Sequence, residues 1–249
     1  MTIRWLTAFL DTPRSHSAEG QVPQFWCAVT GGTLSPWRGE RFVTVIPPDG
    51  DAVLRLQRTD GGRPGTHLDL HVDDPAATVA MLASSGATVL DKTFDDVTVL
   101  SSPAGIVFCV VAAQDEQTRP SPTGTGGIAS AVDQVCLDIP AGRYEPEVRW
   151  WEGVTSWQLS NGSIPGFRVL ERPADVALRI LLQRIDDGPA GMHLDLSSSD
   201  REITVAQHLR LGASPVHVGT VWTVLADPVG RQYCITDRDP VTGRPPARS

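Results

Sequence analysis

Apolar residues along this chain recur in two rhythms, one of period two and one near 3.6, and the switches between them mark out its elements. Residues 5–10 form an apolar run of strand length. Val22, Phe25, Trp26 and Val29 then follow helical spacing until Gly31-Gly32 ends the segment. Residues 42–46 and 52–57 read as two strands joined across Pro47-Pro48-Asp49-Gly50, whose turn chemistry predicts a hairpin. After the break at 61–65 the plan restarts with a strand over 66–72. A helix follows, capped by Asp74, opened by Pro75, carrying Val79 and Leu82 on one face and closed by Gly86. Residues 97–100 and 106–111 predict a further hairpin. From residue 135 the same succession returns: a strand over 135–139, a helix over 147–155 and a hairpin from 167–170 and 177–183. An Asp200-capped helix over 201–211 and strands over 222–225 and 232–235 complete it.

The recurrence extends to letters. His67-Leu68-Asp69-Leu70 reappears as His193-Leu194-Asp195-Leu196, an offset of about 126 residues, and Gln57-Arg58 is answered by Gln183-Arg184. Gly86-Ala87 and Cys109 have counterparts in Gly212-Ala213 and Cys234, so the chain is a tandem duplication. The expected organisation is one domain over 1–114, a linker over 115–127, a second domain over 128–238 and a disordered tail over 239–249. The linker is rich in Pro, Gly, Ser and Thr and has no apolar period, which predicts a flexible connection. Side chains alternate along a strand, so His67 and Asp69 share one face, as do His193 and Asp195, while the leucines take the other.

Charge and composition narrow the function. A net charge of -8 without a Lys/Arg cluster argues against nucleic acid and against a membrane surface, and suits a neutral or cationic small molecule. No apolar run has the ~20 residues of a membrane helix. Cys27, Cys109, Cys136 and Cys234 lie in apolar runs without CxxC spacing, so they read as core residues of a reducing, cytoplasmic protein. Trp26, Trp150 and Trp151 fall at helical core spacing, whereas Trp5, Trp37, Trp157 and Trp222 are free to stack on a planar ligand.

The strand His-Leu-Asp-Leu, the helix opening Asp-Pro or Asp-Arg, the Gly-Ala after it and the closing Leu-Ala-Asp-Pro-Val-Gly-Arg-Gln-Tyr-Cys together resemble the glyoxalase/bleomycin-resistance/dioxygenase group, the vicinal oxygen chelate superfamily. The resemblance covers nearly the whole chain, twice. It implies an α+β fold of tandem glyoxalase-like domains, each of two βαβββ modules, four modules in all. Metal-using members of that group draw ligands from the first and last strands of the modules. Carried over, those places are Leu6, Gln57, His67 and Val107 in the first copy and Asp133, Gln183, His193 and Gln232 in the second. Leucine and valine cannot ligate, and neutral amides bind transition metals weakly. The expectation is therefore no resident cofactor, with a divalent metal admissible in the second domain alone, on Asp133 and His193. Candidate ligand-binding residues are His67, Asp69, Gln57, His193, Asp195, Gln183, Gln232 and Trp222, with no catalytic residue assigned. Two functions are in play: metal-independent small-molecule binding of the resistance or sequestration kind, and a metal-assisted lyase, isomerase or dioxygenase. The expected assembly is a monomer or homodimer.

Overall fold

The computed structural model describes residues 2–94, 96–162 and 164–245. The first copy runs β1 (Ile3–Pro13), α1 (Val22–Thr30), β2 (Thr33–Leu34), β3 (Phe42–Ile46), β4 (Leu54–Thr59), β5 (Gly65–Val72), α2 (Pro75–Ser84), β6 (Thr88–Phe94), β7 (Val97–Ser101) and β8 (Val107–Ala112). A short strand, β9 (Thr123–Thr125), leads into the second copy. That copy comprises β10 (Ile128–Pro140), α3 (Tyr144–Thr155), β11 (Gln158–Asn161), β12 (Phe167–Glu171), β13 (Arg179–Ile185), β14 (Gly191–Ser198), α4 (Arg201–Arg210), β15 (Ser214–Val218), β16 (Trp222–Ala226) and β17 (Gln232–Thr236). One sheet has the order β2-β3-β4-β1-β5-β8-β7-β6, and the other repeats it as β11-β12-β13-β10-β14-β17-β16-β15, with β9 added beside β10. This is the mixed α+β architecture that paired βαβββ modules produce.

Local chemistry sets the helix ends where the sequence placed them. The Asp74 carboxylate accepts from the Ala77 amide at 2.9 Å, and Asp200 does the same for Ile203 at 3.0 Å. Helix α1 ends on Gly31, whose φ of 67° is the left-handed conformation that glycine takes without penalty.

The connection between the copies is more ordered than its composition predicts. The Ser121 amide donates to Asp49 at 2.7 Å, the Thr123 hydroxyl donates to the Thr30 carbonyl at 2.7 Å, and Thr123–Thr125 pairs with β10. These partners are remote in sequence, so a local reading cannot see them. The tail has local order at its start: Asp239 accepts from the Thr242 amide at 2.7 Å, and its own amide donates to the Arg244 carbonyl at 2.9 Å. The final residues of the expected disordered tail, 246–249, lie outside the described residues.

The chain clusters into two compact units, and neither is a single copy of the repeat. One comprises the chain up to Ala8 with His67–Thr118 and Val135–Met192; the other comprises Phe9–Thr66, Arg119–Gln134 and the chain from His193 onward. In the first unit, α3 carries Trp151, fully buried, onto Phe108 of β8, with ring centroids 5.4 Å apart. Glu147 of the same helix accepts from the Ala104 amide at 2.8 Å and from the Trp151 indole at 2.9 Å. In the second unit, α1 carries Trp26, also fully buried, onto Tyr233 of β17 at 5.2 Å, and its indole donates to Asp227 at 3.1 Å. The first helix of each copy thus buries its aromatic face against the last strands of the other copy. Among the described residues no helix is long and apolar enough to cross a membrane.

Candidate functional site

Both sites are built on the repeated strand. In β5, Leu68, Leu70 and Val72 are buried on one face, while His67, Asp69 and His71 lie on the other. The parallel partner β8 puts Cys109 in register with Asp69. The His67 imidazole Nε2 stands 3.7 Å from the Asp69 carboxylate, and the Cys109 sulfur lies within 4.8 Å of both ligand atoms. His71, further along, shares a 2.9 Å hydrogen bond with the Thr7 hydroxyl and lies 3.5 Å from Glu116. The structure therefore gathers His67 and Asp69 as expected and adds Cys109.

The second unit repeats the group and extends it. His193 Nε2 lies 3.3 Å from Asp195 Oδ1, and Cys234 of β17 is in register with Asp195 with its sulfur close to both. Gln134 of β10 donates to Asp195 Oδ2 at 2.5 Å. Arg238 approaches the same oxygen to 3.6 Å and makes a tight hydrogen-bonded ion pair with Asp133. Every member of this cluster is buried or nearly so, with His193 the most exposed at 17%. Asp133 Oδ2 and Asp195 Oδ1 are both buried, and His193 Nε2 stands 3.3 Å from the latter.

The electrostatics follow from these contacts. Burial alone would raise the Asp195 pKa, but His193, Arg238 and Gln134 outweigh it and hold the carboxyl below its ordinary value. Burial, reinforced by the charge of Asp195, pushes the Cys234 thiol up against the pull of His193, so the sulfur stays protonated at neutral pH. Cys234 is thus not an activated nucleophile.

Several sequence expectations are revised. Asp133, proposed as half of a metal site with His193, is engaged by Arg238, and its neighbour Gln134 is the residue that reaches Asp195. At the starts of the last strands, Val107 is 41% exposed and Gln232 is exposed, whereas two residues on Cys109 and Cys234 meet the carboxylates. Cys109 and Cys234 are buried, and they line the polar face rather than serve only as filling, while Cys27 is half-buried. Gln57 stands on β4 opposite Phe42. Gln183 stands on β13 opposite Phe167 and accepts from the Cys136 thiol at 3.3 Å.

Most of the tryptophans are structural. Trp5 is fully buried, Trp157 is buried, and the Trp37 ring carries the Arg58 guanidinium 3.9 Å from its centroid. Trp222 alone among the candidates shares the site face of the second copy. It is paired with Thr236 two residues from Cys234, and Cys234 itself pairs with Val224. A cavity of about 50 Å³ in the second unit is lined by Val29, Val45, Leu54, Thr123 and Leu196, none of which belongs to this cluster.

One signal for Arg238 was present in the sequence. Leu6 corresponds to Asp133, and counting on from Cys109 and Cys234 sets Ala113 against Arg238. The two copies therefore differ by a pair: charged in the second, apolar in the first.

Solved structures of known proteins share this fold. The chain superimposes on the Mn(II)-bound glyoxalase from Novosphingobium aromaticivorans with a TM-score of 0.65 at 16% identity, covering 98% of this chain and 86% of that one. It is similar to 2,2',3-trihydroxybiphenyl 1,2-dioxygenase from Sphingomonas wittichii strain RW1, with a TM-score of 0.64 at 14% identity over 98% and 93% of the two chains. An extradiol ring-cleaving dioxygenase from B. fuscum gives 0.62 at 13% identity, over 100% of this chain and 75% of that one. At such identities the likeness is one of fold. Among curated proteins no sequence match is found. The glyoxalase-like domain model matches residues 10–111 and again 134–236, and the chain belongs to that family, with two copies of the domain.

Proposed function

We propose that this protein binds a small organic molecule without a resident metal, on the face of the second copy that carries His193, Asp195, Cys234 and Trp222. The observation that carries this reading is the occupation of Asp195: its charge is met by Arg238 and Gln134 before any ligand arrives. A divalent ion needs anionic or imidazole donors with charge to spare. The cluster offers one imidazole, one thiol and two carboxylates whose charge is already met by one guanidinium, a set that suits a divalent ion poorly. What remains suits hydrogen bonding from His193 and stacking on Trp222, which favours a planar, neutral or cationic ligand. Sequestration or resistance is the corresponding role. His67, Asp69 and Gln57 of the first copy, with Gln183 and Gln232 of the second, are the further ligand contacts we propose.

Titration of tryptophan fluorescence against a panel of planar cationic and neutral compounds tests the reading, with Trp222→Phe and His193→Ala expected to remove the response. A panel that perturbs nothing, or a response indifferent to both substitutions, refutes it.

A second reading is a metal-assisted lyase, isomerase or dioxygenase sited in the second copy. It is favoured by the closeness of His193, Asp195 and Cys234 and by the chemistry named for the structural neighbours. Elemental analysis of protein purified without chelator separates the two, since a resident site should retain close to one equivalent of Mn, Fe, Ni, Co or Zn.

A further inference from the structure

We propose that Arg238 is a built-in counter-cation that keeps the second copy metal-free: its guanidinium supplies the positive charge that the Asp133–Asp195 pair would otherwise take from a divalent ion. The inference rests on the metal-independent reading above and adds its cause. Two carboxylates, each more than nine-tenths buried, flank Arg238; Asp133 is bound directly and Asp195 lies 3.6 Å away. Two such charges cannot stay ionised in a water-poor interior without a cation between them. Each also keeps a second buried oxygen, Asp133 Oδ2 without a hydrogen bond and Asp195 Oδ1 with His193 at 3.3 Å. Asp195 stands with His193 and Cys234, and Asp133 joins that group through Arg238.

The duplication supplies an independent observation. Both copies keep the His-Asp-Cys group, but the first has Leu6 and Ala113 where the second has Asp133 and Arg238. A second carboxylate is present in the copy that has the arginine and absent from the copy that lacks it. The arginine therefore accompanies the extra negative charge rather than the fold, which both copies share.

The consequence is a gain of metal affinity when the guanidinium is removed. Arg238→Met leaves Asp133 and Asp195 without the cation they share, and a divalent ion is the replacement that His193, beside Asp195, can help to hold. Thermal unfolding of the full chain with Mn2+ or Zn2+ is the test. At a hundredfold excess over Kd, the metal should raise the Tm of Arg238→Met by roughly 5–10 °C more than that of the wild type. Equilibrium dialysis should then find one equivalent more than in the wild type, and His193→Ala in the Arg238→Met background should lose it. Arg238→Lys, which retains a cation, should gain nothing. If Arg238→Met does not fold, Arg238→Gln takes its place, being polar and close in length. Equal metal responses in wild type and both neutral variants overturn the inference. A wild type that already holds a metal through His193 overturns the metal-free reading instead, so the two failures are distinguishable.

Discussion

Replacing Arg231 tests most sharply how the copies hold each other. Its side chain is 4% exposed and belongs to the second copy, yet three of its acceptors are in the first: the Gly65 carbonyl at 2.9 Å, the Asp11 carbonyl at 2.7 Å and the Thr12 hydroxyl at 2.7 Å. The fourth contact is Asp227, wholly buried, at 2.7 Å. Arg231→Met keeps most of the volume and removes the charge. The Asp227 carboxylate keeps the Trp26 indole at 3.1 Å and the amides of residues 229 and 231 at 3.1 and 3.0 Å, but no cation. Breaking one side of a buried ion pair costs about 3–5 kcal/mol, and three abandoned acceptors set the expectation at the upper end. Against a total stability of about 5–15 kcal/mol, the midpoint of urea denaturation should fall by a third or more. Asp227→Asn added to Arg231→Met removes the stranded charge and should recover about half of the loss. Fluorescence of the buried Trp26 and far-UV circular dichroism provide the two probes. A loss below about 1 kcal/mol in the single variant, or a double variant no better than the single, would falsify the argument.

Two further outcomes follow from the same unit. His208 is buried against Tyr233, whose hydroxyl lies 2.9 Å from Nδ1, and burial lowers its pKa from 6.5 to about 4. Below pH 6.5 the unfolded chain takes up a proton that the native state refuses, so stability should decline as pH falls toward 4, by up to about 3 kcal/mol. His208→Asn, which keeps a neutral acceptor, should flatten the urea midpoint over that range; an unchanged slope excludes His208 as its source. Separately, residues 128–238 expressed alone lack Trp26, Asp11, Thr12 and Gly65 and should show no cooperative urea transition until residues 1–127 are supplied. A sharp transition from the isolated segment would show that the contacts between copies are dispensable.

Much of this was legible in the sequence, and what was not has physical causes. Caps at Asp74 and Asp200 and the hairpin strands follow from local chemistry, so they appeared where expected. Strands β6 and β15 were missed. They are the last strands of their sheets and carry Asp91 and Lys92, or Pro215 and a register shift before His217, so neither shows clean alternation. The connecting segment read as flexible because its hydrogen bonds go to Asp49 and Thr30, more than seventy residues away. The His-Asp pairs were visible as an echo. The arginine beside the second pair left only the difference between the copies as a signal, because Asp133 and Arg238 are 105 residues apart and Arg238 sits at the edge of a segment composed like a tail.

The cysteines failed for a more instructive reason, which strand β17 makes plain. A strand buried on both faces reads as an unbroken apolar run, and the period that separates its two sides is lost. In β17, Tyr233 and Ile235 face the helix layer, where Tyr233 meets Trp26 and His208, while Cys234 faces Asp195. The same five residues hold the interface between copies on one side and the candidate site on the other. Asp227 and Arg231, in the turn before β17, fix the register of this strand against α1, so they also set where Cys234 meets His193 and Asp195. Loss of Arg231 should therefore weaken the ligand response of the second copy as well as its stability. Loss of Arg238 should act on the site directly, because it leaves Asp133 and Asp195 without their shared cation.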